Sequence, residues 1–247
     1  MTVQLQFVGC GDAFGSGGRF NTCFHVTGER TNFLIDCGAS SLIAMKKLGI
    51  GRNDIQAIFV THFHADHFGG LPFFILDAQF FSKRTEPLLI AGPPGLPDWF
   101  VRVMETGFPG SAKTKQRFDL QLRELEPGMQ ADFGNVKVTP FLVRHGQPEG
   151  SFFALRLEIG KRIVTYTGDT EWTDTLVAAA EGADLLIAEA YFRRKPVPLH
   201  LDLATLENHL PAICAKRVIL THMSEDMLAE RPTVNFETAE DGLIVQI

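Results

Sequence analysis

Apolar residues recur along this chain in short runs, some alternating with polar residues and some continuous, and most are closed by Gly, Asn or Asp. Such runs at 3–9, 22–28, 31–38, 55–62, 87–92, 136–145, 152–160, 162–169, 183–190, 216–222 and 242–247 predict about a dozen strands. Between them, 39–48, 70–81, 96–106, 172–181 and 202–214 are compatible with helix, the last with Asp202 as its N-cap. Strands in excess of helices predict a layered α/β body with large sheets. Two segments break the pattern. The Gly-, Ser- and Lys-containing stretch 106–118 reads as a mobile loop, and 193–200, with its prolines, cannot continue a helix or a central strand. Neither has the look of an interdomain linker, so residues 1–247 are expected to form a single domain.

A weak internal echo bears on the architecture. AIFVTHFHADH at 57–67 and RVILTHMSEDM at 217–227 each run a buried strand into Thr-His and then an acidic residue, and FLIDCG at 33–38 has a counterpart in VTYTGD at 164–169. Two similar halves facing each other would bring Thr61-His62 and Thr221-His222 together at a central seam.

A chain of 247 residues can bury a sizeable core without staples, and 45% apolar with 21% charged residues argues against disorder and coiled coil. Lys+Arg number 23 against 29 Asp+Glu, and the net charge of −6 argues against a surface built throughout to neutralise a polyphosphate. The start of the chain has no signal-peptide pattern and no stretch approaches the roughly 18 apolar residues of a membrane span, so a cytoplasmic address with no membrane partner is expected. Cys10, Cys23, Cys37 and Cys214 are scattered without a Cys-x-x-Cys pair and read as reduced thiols.

Candidate chemistry concentrates in THFHADHFGG at 61–70. His62 and His64 stand two apart and project to one side of an extended backbone, while Asp66 and His67 fall in the turn that follows. So many titratable groups together are costly unless a cation satisfies them, and imidazole with carboxylate suits Zn, with Mn or Fe as alternatives. Further strands end at His145, Asp169 and His222. Two divalent ions would then be held, one by His62, His64 and His145 and the other by Asp66, His67 and His222, with Asp169 bridging.

His-x-His-x-Asp-His followed by separated His, Asp and His resembles the metallo-β-lactamase superfamily, over nearly the whole chain from FVGCGDAFGSG to LTHM. The resemblance implies a four-layered αββα sandwich of two similar halves with a dinuclear site at the seam, and it places Asp36 as a support behind the metal-binding loop. Drug-hydrolysing members carry a late Cys ligand where this chain has Asp169, and flavo-diiron members carry an acidic residue where this chain has His64. The opening GCGDAFGSGGRFNT, with Arg19 and Asn21, is similar instead to the tRNA 3′-end endonucleases and to small phosphodiesterases that cut cyclic phosphates. AEAYF at 188–192 and the later His200 resemble a pair in those enzymes, which implies that Glu189 orients His200 and that His200 donates a proton to the leaving oxygen. Asp66 would accept the proton of a water that becomes a hydroxide between the two cations.

Only 23 residues separate His145 from Asp169, too few for the arm with which the tRNA nucleases grip their substrate. The resemblance therefore implies a dinuclear metal-dependent hydrolase of a small or cyclic phosphodiester, with nucleic-acid 3′ ends as a second substrate class and a homodimer allowed. Thioesterases and lactonases use the same ligands and form the alternative, and a metal-stabilised binding module without turnover is a third reading. Arg193, Arg194 and Lys195 are candidate phosphate contacts, and Lys113, Lys115 and Arg117 a candidate cationic lid. Phe73, Phe74, Phe80 and Phe81 cover more than one helix face, which suits core packing together with an interface or the pocket mouth.

Overall fold

In the computed structural model, which describes residues 2–147 and 152–247, the apolar runs pair into two seven-stranded sheets. In the first, β1 (Gln4–Gly9), β2 (Cys23–Gly28), β3 (Thr31–Ile35), β4 (Ala57–Phe59), β5 (Leu88–Gly92) and β6 (Leu120–Glu124) lie side by side in chain order. The second continues the order with β7 (Ala131–Asp132), β8 (Val136–Leu142), β9 (Phe153–Ile159), β10 (Arg162–Tyr166), β11 (Leu185–Glu189), β12 (Val218–Thr221) and β13 (Glu237–Thr238). The last strand, β14 (Ile244–Gln246), returns to the first sheet beside β1.

Period-two alternation fixes which side of each strand meets the other sheet. Leu5 and Phe7, Phe24 and Val26, and Phe33 and Ile35 pack from the first sheet against Val136 and Val138, the odd-numbered apolar positions of β9, and Val164 and Tyr166 from the second. On its outer side the first sheet is covered by α1 (Ser41–Lys47), α2 (Ala65–Phe68), α3 (Leu71–Leu76) and α4 (Leu96–Gly107), through Ala44, Phe68, Phe74 and Phe100. The second is covered by α5 (Thr175–Ala180), α6 (Leu203–His209) and α7 (Glu225–Glu230), through Ala179, Leu206 and Met227. The result is the expected four-layered αββα sandwich. Strands β3, β4 and β11 are apolar on both faces, which is why their runs read as continuous rather than alternating.

The halves are alike, but one pairing in the internal echo is a strand out of place. In both sheets three antiparallel pairings are followed by three parallel ones, so β3 corresponds to β10 and β4 to β11. Asp36 and Asp169 are thus true counterparts, whereas the counterpart of the strand before His62 ends at Glu189 and not at His222. Short Thr-His matches arise wherever a buried strand opens on a polar site.

Three short strands (β6, β7 and β13) and α7 were not legible in the hydrophobic pattern. β6 is mostly exposed, and the other two strands have two residues each. The predicted helix 202–214 stops at His209 because Pro211 enters a tighter turn, Leu210–Ala212, while Asp202 caps its start by accepting from the Thr205 N–H. The expected mobile loop at 106–118 is instead tied down. Ser111 is buried, its hydroxyl donates to the Met104 carbonyl, and the Gln79 side chain bonds both Lys115 and Arg117 backbones.

Candidate metal centre

Parallel pairing sends β3, β10, β11 and β12 to one edge of the sandwich, and β8, antiparallel to β9, runs with them. Polar side chains just past those strand ends therefore meet in one crevice, the usual place for a site in such sheets. A close approach closes the seam: the Phe153 N–H donates to the Thr61 carbonyl at 3.1 Å. A Cβ at Gly168, which has φ +60°, would stand 2.5 Å from the Phe153 carbonyl, so glycine is required one residue before Asp169.

The motif at 61–70 is held by the turn after β3. Cys37 N–H donates to the His67 carbonyl (2.7 Å), Ala39 N–H to Ala65 (3.1 Å), and Gly70 N–H to Cys37 (2.8 Å). This clamp is close enough that a Cβ on Gly38 would lie 2.1 Å from the Asp66 carbonyl. The Asp36 side chain, fully buried and with φ +59°, accepts from the Thr61 N–H (2.7 Å), the Thr61 hydroxyl (2.8 Å) and His67 Nδ1 (2.7 Å). Asp66 and His67, expected in a turn, lie in the one-turn helix α2.

All seven candidate ligands converge. His62, His64 and His145 form one group, and Asp66, His67, Asp169 and His222 another, each with its ligand atoms within 4.8 Å of one another. His145 Nε2 lies 3.0 Å from His64 Nδ1 and 3.6 Å from Asp169 Oδ2. Asp169 Oδ2 is also 3.2 Å from Nε2 of both His67 and His222, which places it between the groups. Asp66 Oδ2 is 3.2 Å from His222 Nε2 and 3.3 Å from His67 Nε2.

His62, His67 and His145 are each oriented by a hydrogen bond at Nδ1, which leaves Nε2 toward the crevice. His67 Nδ1 is on Asp36, and His145 Nδ1 is 2.8 Å from the Leu199 carbonyl. His62 Nδ1 lies 3.1 Å from the Thr61 hydroxyl, and His222 Nδ1 lies 3.4 Å from Glu189. What remains is a set of buried polar atoms that make no hydrogen bond, among them His62 Nε2, His67 Nε2, His222 Nδ1 and Asp169 Oδ1. Groups of this kind are rarely left unsatisfied in a folded interior, and a donor set of imidazole and carboxylate fits divalent cations.

Electrostatics agree. Burial holds His62 far below the ordinary histidine range and so neutral, the form a cation needs. His67 and His222 are also opposed by burial, yet Asp169, with Asp66 close by, carries both well above the ordinary range. Burial works against ionisation of Asp66 and Asp169 as well, and the histidines overcome it, keeping both far below the usual carboxylate range.

Glu189 and His200 stand beside the second group. Glu189, fully buried, accepts from the Thr170 N–H (2.9 Å) and Leu201 N–H (3.2 Å) and contacts His200 Nδ1 through its other oxygen. Burial works against charge on His200, but that hydrogen bond prevails and raises it above the ordinary range. Tyr191 stacks on the His200 ring with centroids 4.6 Å apart. A cavity of about 260 Å³ opens over His64, Asp66, His145, Asp169, His200 and His222.

Several participants carry no sequence signal. Leu199, strained at φ +70°, acts through its carbonyl, and any residue supplies one. Arg19 and Asn21 are not in the site. Arg19 donates to the Ala239 carbonyl and Asn21 to that of Asp12, fixing the loop between β1 and β2. Arg193 is engaged by Glu230 and Thr233, and Lys195 lies over the Phe192 ring, which counts against both as phosphate contacts. No helix among the described residues is long and apolar enough to cross a membrane.

The family model described as "Anti-Pycsar protein Apyc1" matches residues 3–244. A ribonuclease Z of Agathobacter rectalis is 30% identical, with 72% of this chain and 71% of that protein covered. One from Methanothermobacter thermautotrophicus is 27% identical, with 90% and 87% covered. Among solved structures, the short form of human tRNase Z superposes with a TM-score of 0.80 at 25% identity, over 98% of each chain. A diphosphatase of the PhnP family superposes equally well, at 0.80 and 21% identity, over 99% of this chain and 98% of that one.

Proposed function

The chain belongs to the family of the anti-Pycsar protein Apyc1 and to the ribonuclease Z-like branch of the metallo-β-lactamase superfamily, and from that membership we propose that it hydrolyses a small or cyclic phosphodiester. It is a metal-dependent hydrolase of that fold. In this reading His62, His64 and His145 hold one divalent ion, and Asp66, His67 and His222 a second, with Asp169 shared between them. Zinc is the first candidate, with manganese and iron behind it.

Bound divalent cations supply Lewis acidity toward a phosphoryl oxygen and make water acidic enough to yield a nucleophile near neutral pH. The protein's own groups do the rest. Asp66 Oδ2 faces the crevice and can take up a proton from water. His200 carries a proton on the nitrogen that faces away from Glu189 and can deliver it to the leaving alkoxide, while Glu189 holds the ring and its charge in place. His200 on the wall of the cavity, held from behind by Glu189, is the observation that favours a diester with an alkoxide leaving group, since such a group needs protonation.

Size favours a compact substrate. The described residues between His145 and Asp169 include only the β9–β10 hairpin, whose pairing closes at Ile159 and Arg162, and the cavity holds about 260 Å³. Nucleic-acid 3′ ends stay a second substrate class because the relatives include ribonuclease Z. The test is turnover by zinc- and manganese-loaded protein of cyclic and linear diesters, a thioester and a lactone. Diester cleavage is expected. Turnover of the lactone or thioester alone would move the site to acyl chemistry, and no turnover with metal bound would make it a binding module.

A further inference from the structure

Between β11 and α6 the chain passes the metal centre as a strap, 196–200, with prolines at Pro196 and Pro198 that donate no N–H. Voids of about 360, 470 and 260 Å³ border it, the first against Pro196 and Val197, the second against Leu199, the third against Pro198 and His200. Packing alone therefore does not fix the strap, and its place depends on discrete hydrogen bonds. At Leu199 the backbone is left-handed, φ +70°, a conformation that leucine keeps only where its surroundings hold it.

Two side chains do the holding. Among the described residues, only His145 and Glu171 hydrogen-bond the backbone of 196–200 from outside it, and both do so at Leu199. His145 Nδ1 is on the carbonyl (2.8 Å), and Glu171 Oε2 accepts from the N–H (3.3 Å). Glu171 is itself fixed beside the ligands. Its N–H donates to the Arg144 carbonyl at 2.9 Å, the Arg144 N–H donates to the Thr170 hydroxyl at 3.1 Å, and Glu171 Oε1 lies 3.6 Å from Arg144 Nη1. The backbone of Glu171 is thus locked to the residue before His145, and its side chain to the residue before His200. Arg144 is exposed and its ion pair contributes little, so what the strap uses is an acceptor oxygen and not a charge.

Resting on the dinuclear phosphodiesterase reading, we propose that Glu171 is a positioning residue. It holds the Leu199 peptide so that the Leu199 carbonyl keeps His145 Nε2 turned to the first ligand group, and so that His200, next in the chain, stands where a leaving oxygen can take its proton. Displacing that one peptide disturbs a metal ligand and the acid together.

The test compares the full-length protein with Glu171→Ala, which removes the acceptor, and Glu171→Gln, which keeps an acceptor oxygen and removes the charge. Competition for zinc against a chromophoric chelator needs no turnover. Glu171→Ala should weaken one of two zinc equivalents by about tenfold, the low end for a disturbed partner behind a histidine ligand, and leave the other within about twofold. Glu171→Gln should keep both near their wild-type values. On a diester with an alkoxide leaving group, kcat of zinc-loaded Glu171→Ala should fall by about tenfold with KM within about twofold. That loss should shrink when the leaving group is p-nitrophenolate, and Glu171→Gln should restore kcat. Wild-type affinity for both ions in Glu171→Ala, equal weakening of both, or a Gln variant as impaired as the Ala variant overturns the proposal. A wild type that cleaves no diester would sink the phosphodiesterase reading, and an unequal loss of zinc with rescue by Gln would still uphold Glu171 as the support of His145.

Discussion

Replacing Asp36 by Asn isolates the role of a residue that touches no cavity. Asn keeps the shape and tolerates the left-handed backbone at φ +59° as readily as Asp does. The difference is that one of two acceptor oxygens becomes a donor. If the amide nitrogen takes the Oδ2 position, it meets His67 Nδ1 and the Thr61 hydroxyl, which donate there at 2.7 and 2.8 Å. The hydroxyl can turn and accept. His67 cannot, unless it gives up its Nδ1 proton and carries it on Nε2, the atom offered to the cation. Two hydrogen bonds to a charged acceptor are worth about 1.5–3 kcal/mol each, and the amide recovers part of one. A net loss of about 2–4 kcal/mol follows, or roughly 5–15 °C in melting temperature for a chain of this size. Metal affinity should fall by about ten- to a hundredfold, the usual cost of losing an oxygen behind a histidine ligand. Thermal unfolding with excess chelator measures the first effect, and competition for zinc against a chromophoric chelator the second. Wild-type zinc affinity in a folded Asp36→Asn protein would refute the claim that Asp36 sets the His67 tautomer.

His200→Ala should lower kcat by about 10²–10⁴-fold with metal content unchanged. The loss should shrink for a diester whose leaving group is p-nitrophenolate, which needs no proton; an equal loss on both substrates would remove His200 as the acid. Gly38→Ala puts a Cβ 2.1 Å from the Asp66 carbonyl and 2.6 Å from the Asn21 Cβ, so destabilisation of about 3 kcal/mol or more is expected in urea titration. A wild-type midpoint would show that the turn after β3 does not clamp the motif. Asp77 gives a pH dependence remote from the site. Burial opposes its ionisation, but Lys46 (2.8 Å) and Arg52 (2.8 Å) prevail and hold it below the usual carboxylate range. A depressed folded value stabilises the protein above about pH 4 and the benefit fades as pH falls through it. Asp77→Asn should therefore cost about 1 kcal/mol at pH 7 and nothing near pH 2, and a cost independent of pH would contradict the ion pair.

Strand ends were legible because buried strands and the polar groups that follow them leave sharp boundaries in a sequence. His62, His64, Asp66 and His67 sit in one dense cluster, and His145, Asp169 and His222 each follow an apolar run. Sequence position alone could not reveal contributions made by backbone or by location in space. The Leu199 carbonyl, the Asp241 side chain holding Cys10 and Phe20, and the reach of Glu171 to the Leu199 N–H all depend on how distant segments meet. The Lys-bearing stretch after α4 misled for a related reason. Its composition is that of a free loop, while its order comes from Gln79, 36 residues away from Lys115 in the chain. The echo between the two Thr-His segments shows the limit of local similarity, because sheet order and not sequence likeness decides which strands correspond.

Counting the ions bound per folded chain by metal analysis after equilibration with zinc or manganese addresses the dinuclear centre without any substrate. Two equivalents are expected for the wild type, and one for His62→Ala or His145→Ala, which remove ligands of a single group. One equivalent or none in the wild type at saturating metal, or two retained when His62 and His67 are both replaced, would contradict it.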